Sequence, residues 1–363
     1  MNNNLRFEPG AAPANKPGAG MAADIAEQPA LYQQVLDTGA PAIATVAAEI
    51  ARRRPRHVVF VGRGTSDHAA LYGAYLTEIR LGLPAGLASP SAITVYGARP
   101  DLSGALVVAV SQSGGSPDLC EVVRVAREQG ALTLAVTNDP RSVLAAAADL
   151  SIDVGAGTER AVAATKSYTA ELLVLLMLLE GVRAGDGALA ADERAALAAL
   201  PQLAADVLAD ETAAELASRY RFATRLVTTG RGYAYPTARE AALKLMETSY
   251  LAALAFSGAD LLHGPVALAD AQVPVLAVVG AGPGGASMRE VLARLGDRSA
   301  DVVVFGPSDV EGTALRVPTP AVDERYAPLL DILPLQQLAL ALARQRGEDP
   351  DAPRGLSKVT ETR

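Results

Sequence analysis

Cys120 is the only cysteine in 363 residues, so no internal disulfide can form and nothing calls for an oxidising compartment. It reads as a small buried helix residue. A run of Lys or Arg that could follow a nucleic-acid backbone is also missing: 32 basic residues stand against 40 acidic ones, for a net charge of -8. Such a chain has no stripe that could follow a nucleic-acid backbone, and any anionic ligand must be held by a local site. Long apolar runs are absent too. The run from Leu172 to Leu179 is flanked by Glu171, Glu180 and Arg183, which makes it a buried helix and not a membrane span. Met1 to Gly20 is rich in Asn, Pro, Gly and Ala and has no apolar core of a signal peptide, so it reads as a flexible tail. A cytoplasmic location, with no membrane and no nucleic-acid partner, follows by elimination.

What is present is a chain that is 50% hydrophobic and long enough for two domains of ordinary size. Strand-like aliphatic runs alternate with Ala-rich helical segments, the pattern of parallel sheets covered by helices on both faces. The alternation occurs twice. His57 to Val61 ends in Gly62-Arg63-Gly64, and Arg225 to Thr229 ends in Gly230-Arg231-Gly232. Leu106 to Val110 then matches Val275 to Val279, Leu132 to Val136 matches Asp301 to Phe305, and Ser151 to Val154 matches Ala314 to Val317. Four strand endings in the same order imply a duplicated doubly wound α/β unit. The predicted boundaries are a tail over 1–20, N-terminal helices over 21–54 interrupted at Pro29 and Pro41, a first unit over 55–205, a second over 206–346, and a C-terminal tail over 347–363. Within the second unit a long helix is expected from Ala327 to Arg346. Composition alone makes the C-terminal tail a frayed end.

Ser111-Gln112-Ser113-Gly114-Gly115-Ser116 follows a buried strand and precedes a helical segment from Pro117, where amides and hydroxyls converge on the positive end of a helix dipole. It is either a phosphate site or a hydroxyl-rich turn with Ser116 as the N-cap. Thr65 and Ser66 add hydroxyls at the end of the neighbouring strand, and the equivalent loop of the second unit, Gly280 to Pro283, has none. That asymmetry favours binding in the first unit. A dinucleotide site is disfavoured because Gly62-Arg63-Gly64 lacks the third glycine of the fingerprint and no ribose-binding acid is identifiable.

In the second unit Glu240, Lys244 and Glu247 fall at i, i+4 and i+7 of one helix. They form either an exposed ion-pair stripe or a buried acid–base group. The apolar surroundings favour the second, and would raise a carboxyl pKa toward the working pH of a proton-shuttling base. His263 sits in a turn bounded by Gly264 and Pro265, His57 reads as structural, and His68 reads as rim to the phosphate site.

Taken together and in this order, these motifs resemble the sugar isomerase (SIS) domain family, and within it the isomerase halves of glucosamine-6-phosphate synthases and the amino-sugar-phosphate deaminases. The matching segments are Gly64-Thr65-Ser66, Ser111-Gln112-Ser113-Gly114, Ala164-Thr165-Lys166, Glu240 to Leu245, Glu247-Thr248-Ser249-Tyr250, His263-Gly264-Pro265 and Pro353 to Thr360. The resemblance implies two tandem doubly wound parallel-sheet domains of flavodoxin-like type with a C-terminal tail over the site. It implies that Ser66, Ser111, Gln112, Ser113 and Ser116 hold a sugar phosphate, with Thr65, Thr165 and Glu240 also on the substrate side. It further implies that Glu247 moves the proton between the first two sugar carbons, that Lys244 sits near the sugar oxygens, and that Lys358 closes over the site. His263 would reach in from the partner of a homodimer to assist ring opening.

The chain departs from the synthase pattern in having no nucleophilic cysteine after Met1, so glutamine hydrolysis is not expected. Gly115, Met246 and Leu262 stand where the synthases carry charged residues, which suggests a site roomy enough for a substituted amino sugar. The expected ligand is a hexosamine 6-phosphate, and the expected activity is that of a glucosamine-6-phosphate deaminase or isomerase. An N-acetylglucosamine-6-phosphate dehydratase and a non-catalytic sugar-phosphate sensor are the alternatives. No metal or redox cofactor is required, because the adjacent carbonyl makes the C2 proton acidic enough for a positioned carboxylate.

Overall fold

The apolar runs assemble into two separate parallel sheets. In the computed structural model, which describes residues 16–307 and 315–358, the first sheet holds β1 (His57–Val61), β2 (Ala85–Leu87), β3 (Ala105–Ser111), β4 (Leu132–Thr137) and β5 (Leu150–Asp153). The second holds β6 (Arg225–Gly230), β7 (Ala252–Ser257), β8 (Val275–Val278), β9 (Val302–Phe305) and β10 (Leu315–Val317). Their orders are β2-β1-β3-β4-β5 and β10-β9-β8-β6-β7, with every pairing parallel. Counted from its own first strand, each sheet has the flavodoxin-like order 2-1-3-4-5, so the duplication read from the sequence is a duplication of topology. Ala314, Val359 and Thr360, and residues 1–15 of the expected tail, lie outside the described residues.

Each unit has five strands where the sequence pattern marks four. The two extra strands, β2 and β7, are edge strands with a single neighbour each. They are Ala-Gly-Leu and an Ala-rich hexapeptide, without the β-branched run that marks a strand buried on both faces. β3 is the opposite case: all seven of its residues are buried.

Pro29 and Pro41 begin helices where interruptions were expected. Each occupies the first turn of its helix, Gln28–Gln34 and Ala40–Arg53, where its missing N–H costs nothing, and a π-helical turn over Val35–Gly39 lies between them. The Lys166–Ala184 helix is buried along almost its whole length, as its apolar sequence requires. One continuous apolar cluster runs from Phe60 and Leu106 of the first sheet through Leu172 to Leu179 and into Leu226, Leu276 and Leu329, so the two units share a core. The C-terminal helix, Ala327–Gln345, packs across the Ala234–Ser249 helix of the second unit. Buried Gln28 donates to Gln336 Oε1 (2.8 Å) and accepts from Thr169 Oγ1 (2.8 Å), tying the N-terminal, central and C-terminal helices together. Among the described residues no helix is long and apolar enough to cross a membrane.

Asp331 is buried within the C-terminal helix with one oxygen accepting from Thr319 Oγ1 (2.6 Å) and the other without a partner. Burial, only partly offset by the Thr319 hydrogen bond, pushes its carboxyl up to about 7. The folded state therefore holds a proton that the unfolded chain has released. Stability from this group is full at low pH and is lost as pH rises through the folded value, by about 1.4 kcal/mol per pH unit between roughly 5 and 7. Chemical denaturation across that range should show wild type losing this much relative to Asp331→Asn. Parallel pH profiles for the two proteins would contradict it.

Candidate active site

Ligands of doubly wound sheets bind where neighbouring crossovers diverge, at the carboxyl ends of the strands. In the first sheet that point lies between β1 and β3. β1 runs through Gly62 into the Thr65–Leu76 helix, and a Cβ on Gly62 would lie 2.6 Å from the Ser66 carbonyl oxygen. Gly230 meets the Ala234 carbonyl at the same distance in the second unit, so both glycines exist to let a helix start against the strand end. β3 runs through Ser111–Ser116 into the Pro117–Glu128 helix. Gly114 has φ +58°, and a Cβ there would fall 2.2 Å from Ser142 Oγ. Inside the loop the amides of Gly114 and Gly115 donate to Ser111 Oγ (3.1 Å) and Ser113 Oγ (3.3 Å). Ser116 occupies the N-cap position, but its side chain makes no capping bond.

The two strand ends enclose a cleft of about 330 Å³ lined by Thr65, Ser66, Ser111, Gln112, Ser113 and Ser116. Glu247 enters the same cleft from the second unit, and Leu356, Ser357 and Lys358 enter from the tail. Eight of the twelve residues expected at the site are thus brought together. The other four are Lys244, Glu240, Thr165 and His263.

Lys244 and Glu240 lie beneath the cleft. The Ala234–Ser249 helix buries both completely, with Lys244 Nζ 2.5 Å from Glu247 Oε2 and 3.4 Å from Glu240 Oε1. Thr65 of the first unit joins them: its hydroxyl donates to Glu240 Oε1 (3.0 Å) and accepts from Lys244 Nζ (3.1 Å). His68 Nδ1 stands 2.7 Å from Glu240 Oε2. Burial alone would raise the Glu240 carboxyl, as the sequence suggests, but Lys244, His68 and Thr65 outweigh it and hold it below its usual value. Burial likewise disfavours the Lys244 ammonium, and the two carboxylates reverse that and raise it. Glu240 is therefore a fixed counter-charge below the cleft, and His68 is its partner instead of a rim residue.

Thr165 is buried and serves the loop before the Lys166–Ala184 helix. The Glu159 carboxylate accepts the amides of Thr165 (2.6 Å), Lys166 (3.0 Å) and Ser167 (3.2 Å), together with the Thr165 and Ser167 hydroxyls. Asp24 of the N-terminal helices accepts from the amides of Arg160 (2.7 Å) and Ala161 (3.0 Å). The loop so held offers the Ala161 carbonyl to Lys358 Nζ. The tail reaches this point because it is pinned. Asp349 and Asp351 accept the amides of Gly18, Gly20 and Met21, and the Arg354 guanidinium lies 4.0 Å from the Tyr250 ring centroid. Residues expected to fray are thus ordered as far as Lys358, whose amine burial holds below its usual value.

His263 ends the short Gly258–Leu262 helix, is exposed, and does not line the cleft of its own chain. Gly115, Met246 and Leu262 do not line it either, so the room expected from their lack of charge lies elsewhere.

The second unit repeats the cradle and fills it. Its Gly280–Pro283 loop leads into the Pro283–Asp297 helix, and the Glu324 carboxylate accepts the amides of Gly284 (3.1 Å) and Gly285 (2.8 Å). A Cβ at Gly280, Gly282 or Gly284 would come within 2.6 to 2.9 Å of that carboxylate. The glycines make room for an anion that the chain itself supplies. Glu159, Glu324 and Glu171, whose Oε1 lies 2.8 Å behind Ser66 Oγ, have no signal in the sequence, because each acts on a partner distant in space or on backbone amides.

The sequence pattern of the SIS domain family matches residues 52–181 and 220–314, which fall on the two sheets. The chain is 34% identical over 360 residues to a glutamine–fructose-6-phosphate aminotransferase (isomerizing) of Gloeobacter violaceus, covering 93% of this chain and 58% of that protein. It thus spans little more than half the length of such relatives. A phosphosugar isomerase candidate from Silicibacter pomeroyi DSS-3 is 36% identical, with a TM-score of 0.82 over 92% of this chain and 99% of that one. The C-terminal domain of glucosamine-fructose-6-phosphate aminotransferase from Francisella tularensis is 25% identical, with a TM-score of 0.81 over 94% of this chain and 100% of that one.

Two substitutions test this geometry by chemical denaturation. Lys244→Met should destabilise the fold by about 3–5 kcal/mol, because it removes the ammonium that compensates the buried Glu240 carboxylate and holds Glu247; a loss below about 1 kcal/mol would mean the cluster is solvated. Glu324→Ala should cost about 1–3 kcal/mol through two orphaned helix amides, and an unchanged midpoint would show that water replaces the carboxylate freely.

Proposed function

The chain belongs to the SIS domain family, and we propose that it opens a hexosamine 6-phosphate in the β1–β3 cleft and moves the C2 proton through Glu247, as a glucosamine-6-phosphate deaminase or isomerase. One observation carries this reading: a carboxylate of the second unit enters the hydroxyl-lined cleft of the first, and a buried ammonium fixes its position. The hydroxyls of Ser66, Ser111, Ser113 and Ser116, with Gln112 and the first turn of the Pro117–Glu128 helix, suit a phosphate. Glu247 suits a proton that must be carried between adjacent carbons.

In the open-chain aldehyde the C2 proton is acidified by the C1 carbonyl. Glu247 removes it to give an enolamine and returns it at C1, leaving an imine at C2. Water adds to that imine and ammonia leaves, giving fructose 6-phosphate. In the reverse direction ammonia adds to the ketose carbonyl. Lys244 keeps Glu247 in place for the proton transfer. Lys358, which lines the cleft and whose amine burial makes easier to deprotonate, meets the ketose carbonyl in this reading and closes the cleft with the tail. In a homodimer the partner's His263 assists ring opening.

Incubation with glucosamine 6-phosphate should release ammonia and fructose 6-phosphate in equal amounts, identified by mass spectrometry. Glu247→Gln should lower turnover by about 100-fold or more while leaving fructose 6-phosphate affinity within about threefold. Loss of water from N-acetylglucosamine 6-phosphate with the acetyl group retained would instead assign a dehydratase. Tight binding without turnover of either substrate would assign a sensor.

A further inference from the structure

Ser66 lies in the first turn of the Thr65–Leu76 helix and lines the cleft, and behind it stands a carboxyl that the proposed chemistry does not use. Glu171, on the Lys166–Ala184 helix, is 1% exposed and places Oε1 2.8 Å from Ser66 Oγ. Its Oε2 is sealed from solvent and has no hydrogen-bond partner. The charged side chains that bear on it, Glu159 and Glu240, are both acidic. A carboxylate here would leave one anionic oxygen wholly uncompensated, which is the most costly state for a buried group. A neutral acid removes the charge and adds an O–H donor.

The Ser66–Glu171 bond can run in either direction, and the direction decides what Ser66 offers the cleft. A serine hydroxyl has one proton to give and two lone pairs to receive. Facing a carboxylate, Ser66 would direct its proton backward and turn lone pairs toward any anion in the cleft. Facing an acid O–H, it receives from behind and keeps its own proton for the anion. Resting on the sugar-phosphate reading of the cleft, we propose that Glu171 is a positioning residue that, as a neutral acid, donates to Ser66 Oγ and so turns the Ser66 proton toward the substrate phosphate. The electrostatics agree: burial holds the Glu171 carboxyl well above the usual carboxylate range, and its acidic neighbours add to the effect.

Calorimetric titration with fructose 6-phosphate near neutral pH tests this on wild type, Glu171→Gln, Glu171→Ala, Ser66→Ala and the double alanine variant. The Gln amide N–H can donate as the acid O–H does, so Glu171→Gln should bind within about twofold of wild type. Glu171→Ala should bind about tenfold more weakly, the worth of one hydrogen bond. Adding it to Ser66→Ala should cost nothing further, because the two residues act as one. Difference infrared spectra of wild type minus Glu171→Gln should contain the carbonyl stretch of a protonated carboxylic acid. Absence of that band, a tenfold loss in the isosteric Gln variant, or wild-type affinity in Glu171→Ala would each overturn the proposal, and the Gln variant and the band keep it testable if the Ala variant does not fold. Wild-type protein that binds no fructose 6-phosphate would instead sink the sugar-phosphate reading, and the band, which needs no ligand, would still decide whether Glu171 is neutral.

Discussion

The Lys244 ammonium is the constraint on which the rest of the site depends. It is buried between Glu240 and Glu247 and bonded to Thr65, so one charge fixes the carboxylate of the cleft, the counter-charge beneath it and a residue of the other unit. A buried cation is tolerable only if its surroundings supply compensating charge, and here they supply two carboxylates for one ammonium. Of the two, Glu247 is the partly exposed member and lines the cleft. Apolar burial of the helix forces the two acids onto one cation, and only Glu247 keeps access to solvent and to the cleft.

The same logic of compensated charge distinguishes the open cradle of the first unit from its filled copy in the second. Helix N-termini attract anions, and this chain has several of them pointing at strand ends. Glu159 occupies the one that opens the central helix, and Glu324 occupies the one that repeats the Ser111–Ser116 cradle in the second unit. The cradle after β3 is lined by hydroxyls, Gln112 and amides and opens on a cleft of about 330 Å³. The loop with hydroxyls opens on a space, while the loop of glycines is closed by an internal carboxylate.

Much of this was legible in the sequence, and what was not has a common cause. The buried strands, their doubling, the hydroxyl loop and the shared face of Glu240, Lys244 and Glu247 are all local patterns, and the structure reproduces them. β2 and β7 escaped because an edge strand needs only one apolar neighbour. The apolar surroundings pointed to a raised carboxyl, yet Glu240 is held low, first by the Lys244 ammonium and then by His68, which comes from 172 residues away, and by Thr65. Proximity to Lys244 was visible in the helical spacing; the completeness of its burial, which decides how strongly the ammonium acts, was not. Glu159, Glu171 and Glu324 are single acids in unremarkable contexts, and only the fold says what each one meets.

The tail follows from the same point. Residues after the last helix lack apolar periodicity, so nothing local could order them, and the order comes from the far end of the chain: Asp349 and Asp351 cap the first helix through Gly18, Gly20 and Met21, some 330 residues away. Arg354 then lies against Tyr250, the left-handed residue that ends the helix carrying Glu247. The segment that brings Lys358 to the cleft is thus held at one side by the N-terminal helices and at the other by the helix of the proposed base. The Arg354–Tyr250 contact joins the tail directly to the end of the helix that carries Glu247.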